Sequence, residues 1–375
     1  MNPIWSGRRV VVSAGTGGVG KTTASAAIAV AAAASGLNTM VMTIDPARRL
    51  ANALGLDDFG NVEREISPEL FKPYGIELKG SMTVMMLDVK QTFDKMITDL
   101  ASSPKNRERI LRNKIYQQFS TVLSGALEYA AVEMLYDVFA SNRFDLIVLD
   151  TPPSQNAIDF LEAPSKMLNF LEQSSTQWFL KPSAVAGRLS MKLFDVGTSI
   201  IAGTLGKMAG GETIRELSDF LVALSDLYDG FAVRHEAVRS LLSSEDLGFV
   251  LVTSTQANQR AAMRRFRNDL AAGGFKTRGV VINRIRHVDY EPNEVRRDLD
   301  ANQATLSEAE RSELLGALDE EYFLAKQDAK AIEALRTEIG TTPMIELPEL
   351  PLDAHDLASL AALHTHFLDT SGSKS

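Results

Sequence analysis

The chain of 375 residues reads as an α/β protein, a mostly parallel β-sheet flanked by helices and carrying an α-helical insert subdomain. Three features lead to this reading. Short β-branched runs alternate with helical patterns along most of the chain. One such run feeds a glycine loop that opens directly into an alanine-rich helix. Polar residues then fall at the carboxyl ends of four strands, where ligands of parallel sheets bind.

The elements follow in order. Arg8–Gly15, "RRVVVSAG", is a β-branched run that suggests a buried parallel strand. Ala24–Ser35 is rich in the best helix formers, and Gly36 stands where a helix stop is expected. Asn38–Asp45 and Met82–Val89 are the second and third strands, and helical patterns fill most of Gln91–Ser141. Phe144–Pro153 is a strand reaching Asp150. Leu247–Ser254 and Thr277–Arg284 are two more, with a helix between them. An acidic helical stretch, Asn302–Ile339, precedes a last strand at Thr342–Pro351.

Between Pro164 and Ser244 no strand is evident. Ile214, Leu217, Leu221, Leu224, Tyr228 and Phe231 recur at spacings of three and four, the mark of an amphipathic helix. The chain is therefore read as a core of residues 1–163 and 245–375 with a helical insert at 164–244. The terminal "SGSKS" is expected to be disordered.

Composition narrows the classes. With 45% apolar and 23% charged residues the chain is an ordinary globular one. A net charge of -9 makes a nucleic-acid surface unexpected. There is no cysteine, which excludes disulfides, thiolate zinc or iron–sulfur sites and thiol-based metalloid sensing within this chain. No stretch approaches the roughly 18–20 apolar residues that span a bilayer. Arg8 and Arg9 lead into a strand rather than a cleavage site, so no signal peptide is read. The expected location is cytoplasmic, with transient presence at a membrane.

Gly15-Thr16-Gly17-Gly18-Val19-Gly20-Lys21-Thr22 fits G-x-x-x-x-G-K-[ST] without a mismatch. Glycines let backbone N–H groups turn inward, and the following helix adds its unpaired N-terminal donors. Lys21 supplies charge for β- and γ-phosphates, and Thr22 a hydroxyl for Mg²⁺. Asp150 ends a strand where such enzymes keep the acid that holds Mg²⁺, often through water. Its alternative is a carboxylate capping the next turn. Asp45, in "TIDPARRL", ends the neighbouring strand and is placed to orient attacking water, or else to form an Asp-Pro turn.

These residues carry a resemblance. "GGVGKTT", "TIDPARRL", "DLIVLDTPPSQNAIDFLEAP", "GVVINR" and "IELPELP" stand in the order found in the arsenite-pump and tail-anchored-protein-targeting ATPases. That family lies within the deviant-Walker-A P-loop class, with MinD, ParA and the nitrogenase iron protein. The likeness runs from Gly17 to Pro351, nearly the whole chain. It implies that Lys21, Thr22 and Thr23 bind phosphates and Mg²⁺, that Asp45 positions water, and that the segment after Asp150 is a second switch. It also implies that Asn283 reads the adenine edge, with Pro348 and Leu350 near the base. Independently, "RIR" follows Asn283 where a guanine reader has Lys-x-Asp, which favours ATP; the alternative is a structural strand-end asparagine.

Two departures matter. The family's usual loop has a lysine at position 16 that reaches a dimer partner's phosphates, and here Thr16 carries no charge. Such a cation is worth roughly 10³–10⁵ in rate. Arg48 and Arg49 replace the His and Ser or Asn that the family has after "DPA". One of them is expected to take over part of that electrostatic role, unless both are solvated first-turn residues. The missing cysteines also exclude arsenite capture by thiolates and a zinc-joined dimer.

The functional expectation is a dimeric Mg·ATP switch, as a homodimer or paired with a paralogue, whose insert handles hydrophobic or membrane-protein clients. The apolar stretch around Ile200, Ile201, Leu205 and Met208 is the candidate groove, or else the core of an ordinary helical subdomain. The first alternative is an ATPase subunit of a membrane transport complex. A DNA-partition-type positioning ATPase is the second, disfavoured by the acidic balance.

Overall fold

A computed structural model of the chain describes residues 4–44, 50–51, 54, 62–117, 126–151, 161–169, 220, 222–224, 226–301, 306–350 and 357–368. Among these lie eight strands: β1 (Val10–Ala14), β2 (Thr39–Thr43), β3 (Arg64–Glu65), β4 (Met82–Met86), β5 (Leu146–Asp150), β6 (Leu247–Thr253), β7 (Thr277–Ile285) and β8 (Met344–Pro348). They form one sheet in the order β3-β4-β2-β5-β1-β6-β7-β8. All pairings are parallel except β3 with β4. The seven strands expected from sequence are present. The eighth, β3, is two exposed residues on Val84 and Thr83, too short to leave a pattern.

Helices among the described residues include α1 (Lys21–Ala34), α2 (Val89–Leu100), α3 (Pro104–Leu111), α4 (Ala126–Ala140), α5 (Tyr228–Leu242), α6 (Ala257–Ala272), α7 (Pro292–Ala301), α8 (Glu308–Ile339) and α9 (Leu357–Leu368). α8 opens with a reciprocal capping box, Ser307 with Glu310, as its acidic start favours. No helix among the described residues is long and apolar enough to cross a membrane.

The central strands are apolar on both faces because both are covered. Val11, Val41, Val148 and Val250 face α1 and α9. Val12, Met42, Leu149 and Leu251 face the other way, into a cluster with Leu135 of α4, Phe266 of α6 and Leu335 of α8. α1 is buried on nearly every side, which its alanines allow: small side chains let it lie close to the sheet.

A third cluster lies among helices and contains no strand residue. Phe93, Met96 and Ile97 of α2, Ile110 of α3 and Tyr129 of α4 pack with Phe220, Leu227 and Phe231. Further along α5, Val238, Leu241 and Leu242 join the cluster on the second sheet face. The amphipathic helix read through Phe231 is not continuous. Residues 222–224 are helical, Asp226 and Leu227 form a turn, and α5 starts at Tyr228. At the break the exposed Asp226 carboxylate accepts from Asn106 Nδ2 at 2.7 Å and from the Ser102 N–H at 3.3 Å, which ties the turn to the start of α3. Ile200, Ile201, Leu205, Met208, Ile214, Leu217 and Leu221 lie outside the described residues.

Candidate functional site

Residues 15–20 join β1 to α1 at the carboxyl edge of the sheet. Two glycines are required by their surroundings. A Cβ on Gly15 would come within 2.3 Å of the Val252 carbonyl oxygen of β6. Gly20 has a left-handed φ of 88°, and a Cβ there would lie 2.1 Å from Asn283 Nδ2. Side chains cap α2, α3 and α8 through Asp88, Ser103 and Ser307. α1, like α5 and α6, has no side-chain cap, and the first turn of a helix that follows a glycine loop is a ready anion site.

Lys21, the first residue of α1, is buried, and its Nζ donates to the Thr16 carbonyl oxygen at 3.0 Å. Thr22 Oγ1 donates to Asp150 Oδ2 at 2.7 Å. The same carboxylate oxygen accepts from Thr43 Oγ1 at 3.0 Å. Register produces this meeting: Asp150, last residue of β5, is level with Thr43 on one neighbour and Ser13 on the other. Thr151 Oγ1 then donates to Ser13 O at 2.7 Å and fastens the end of β5 to β1. Side-by-side hydroxyl and carboxylate oxygens are the hard donors that a small divalent cation prefers.

On the other side of the loop, buried Asn283 near the end of β7 donates from Nδ2 to the Val19 carbonyl oxygen at 2.9 Å. Directly after it the β7–β8 register slips between Ile282 and Ile285, and Arg284 takes a left-handed φ of 61°. Pro348 pairs beside Ile285, the Glu349 N–H donates to Ile285 O at 2.8 Å, and Leu350 packs on the core of the first face. The structure thus gathers residues 15–23, Asp150 and Asn283 at one edge, with Pro348 at the end of the neighbouring β8 and Leu350 two residues beyond it. Asp45, Arg48 and Arg49 lie outside the described residues.

Two contributors escape sequence reading. Thr43 looks like ordinary β-branched strand filling, yet it holds Asp150. Gln259 of α6 accepts a hydrogen bond from the Thr16 hydroxyl across 243 positions, a separation at which no local pattern signals contact.

A family model described as anion-transporting ATPase matches residues 8–322, from the lead-in to β1 to within α8. The chain belongs to the anion-transporting ATPase family. What membership brings is a nucleotide-binding ATPase domain, and the loop, Lys21, Asp150 and Asn283 all fall inside the matched range. Among relatives, the "Arsenical pump-driving ATPase" of Escherichia coli is 26% identical over 277 residues, covering 72% of this chain and 38% of that protein. An uncharacterized protein of Streptomyces coelicolor is 26% identical over 278 residues, covering 74% and 62%. The "ATPase get3" of Aspergillus terreus is 23% identical over 282 residues, covering 74% and 73%. The chain therefore spans less than two thirds of the length of the first two of these relatives.

Proposed function

We propose that the chain binds and hydrolyses Mg·ATP at this edge and works as a dimeric switch whose nucleotide state moves its helical part. The observation that carries this is the Thr22–Asp150 contact beside an uncapped helix and a glycine cradle. The loop N–H groups and α1 would take the phosphates, with Thr23 beside Thr22. Mg²⁺, when bound through Thr22 and Asp150, would neutralise charge on β- and γ-phosphate oxygens. Lys21 would exchange the Thr16 carbonyl for a γ-phosphate oxygen, a charge-assisted bond in a buried setting.

Asn283 suits ATP. One N–H of its Nδ2 is engaged with Val19, and Oδ1 is an acceptor that the adenine amino group can meet. Pro348 and Leu350 would flank the base. Asp45 would orient water, and Arg48 or Arg49 would supply part of the charge that Thr16 lacks.

In this reading residues 1–163 and 245–375 are the ATPase core, and 164–244 the helical subdomain that meets hydrophobic or membrane-protein clients in the cytoplasm. A second reading is an ATPase subunit driving a membrane transport complex, which the name of the E. coli relative favours. With no cysteine, it would not sense arsenite through thiolates.

Phosphate release with and without Mg²⁺ tests the core claim, with Lys21→Ala as control. Turnover that requires both Mg²⁺ and Lys21 is expected. Purified chain that turns over no ATP with Mg²⁺ present sinks the reading. Mass measurement and pull-down in a nucleotide-trapped state then separate client proteins from a stable membrane-complex partner.

A further inference from the structure

Thr16 is held at both of its polar groups. Its carbonyl oxygen accepts from Lys21 Nζ at 3.0 Å, and its hydroxyl donates to Gln259 Oε1 on the first turn of α6. The β6–α6 unit also closes on the loop from beneath, where Val252 O occupies the place a Cβ on Gly15 would need. The approach to α6 is itself ordered, since the Gln256 N–H donates to Ser254 Oγ at 3.3 Å. Lys21 thus rests on the carbonyl of the same residue whose side chain Gln259 fixes.

From this geometry we infer that Gln259 is a positioning residue: it sets Thr16, and through the Thr16 carbonyl it sets the Lys21 ammonium, so the loop is shaped before a phosphate arrives. This rests on the reading of residues 15–23 as the phosphate site. The physical reason is entropy. Fixing the backbone of a residue costs conformational entropy, most of all for glycine, and this loop is mostly glycine. With the tether made during folding, that cost does not fall on binding. Loss of a single net hydrogen bond corresponds to about 0.5–1.5 kcal/mol, or roughly 2- to 12-fold in affinity. The effect belongs in KM and not in kcat, because an ordered loop favours bound substrate and transition state alike.

Four variants test it in the full chain: Gln259→Ala, Thr16→Val, the double variant, and Thr16→Ser. Hydrogen exchange without nucleotide comes first. Gln259→Ala and Thr16→Val should each speed exchange of the amides of residues 16–20, and Thr16→Ser should leave them as in the parent. Steady-state hydrolysis follows. The single variants should raise KM for ATP by about 2- to 12-fold with kcat within about twofold. The double variant should match the singles, and Thr16→Ser should restore the parent value. Unchanged loop exchange in both single variants overturns the inference, and so do KM effects that multiply in the double variant. A parent that turns over no ATP defeats only the functional reading, because the exchange measurement needs no nucleotide and decides the tether by itself.

Discussion

Thr22 and Asp150, 128 positions apart in the chain, meet through a 2.7 Å hydrogen bond where α1 begins and β5 ends. The contact sets a hydroxyl and a carboxylate next to each other at the base of the glycine loop. Asp150→Asn keeps an acceptor for the Thr22 or Thr43 hydroxyl, so the fold should persist with little change in melting temperature. The negative charge is lost, and ATP hydrolysis with Mg²⁺ should fall by about 100-fold or more, in line with the several kcal/mol of charge stabilisation a bound metal ion supplies. Near-parental turnover by a folded Asn variant would remove Asp150 from the cation site.

Gly20→Ala combines two faults: a left-handed backbone and a Cβ 2.1 Å from Asn283 Nδ2. About 1–3 kcal/mol of destabilisation is expected from the backbone alone, with more from displacing Asn283. Gly18 is the internal control, because its φ of 81° carries the strain while nothing lies within 4 Å of the added carbon. Urea unfolding and fluorescent-nucleotide binding should show Gly20→Ala as the worse variant in both. Equal effects would mean that the Asn283 contact does not constrain the loop.

Arg234 of α5 donates from Nε to Glu133 Oε2 at 2.7 Å and also pairs with Asp137, both on α4. Glu133 is nearly fully buried and receives the Tyr129 hydroxyl at 2.6 Å. Arg234→Ala strands a buried carboxylate, which costs about 3–5 kcal/mol. Adding Glu133→Gln to that variant should recover part of the loss in a denaturant titration, since the uncompensated charge is then gone. If the second change recovers nothing, the penalty comes from lost packing.

Burial pushes the Tyr129 hydroxyl well above its ordinary value of 10.0, and the neighbouring Glu133 carboxylate adds to the effect. A group whose folded value is raised gives stability that is complete below its unfolded value and is lost as pH rises beyond it. Parent and Tyr129→Phe should therefore differ by a constant amount from about pH 7 to 9. The parent's advantage should shrink above about pH 10. A difference that stays flat to pH 11 would mean that the buried tyrosine does not govern the alkaline limb.

Legibility in the sequence varied with range. The run from Arg8 to Gly36 is a single strand–loop–helix unit, so its β-branched residues, glycines and alanines each announced their place from neighbours alone. The expected strand ends at Asp150 and Asn283 were also readable, because a buried parallel strand is an apolar run with an abrupt polar stop. The turn at Asp226–Leu227 was not, since the apolar period continues past it to Tyr228 and Phe231 and the Asp226 carboxylate bonds to Ser102 and Asn106 on a distant segment. β3 was hidden by its length of two residues.

By itself, then, the sequence determined the fold class, the glycine loop with Lys21 and Thr22, and the polar residues that end the strands. Tertiary structure alone decided which of those ends touch: Thr43 and Thr22 on Asp150, Asn283 on Val19, Gln259 on Thr16. The reason is that local pattern is set by residues a few positions away. Register between parallel strands is set by which faces of whole strands are buried, and it joins residues more than a hundred positions apart.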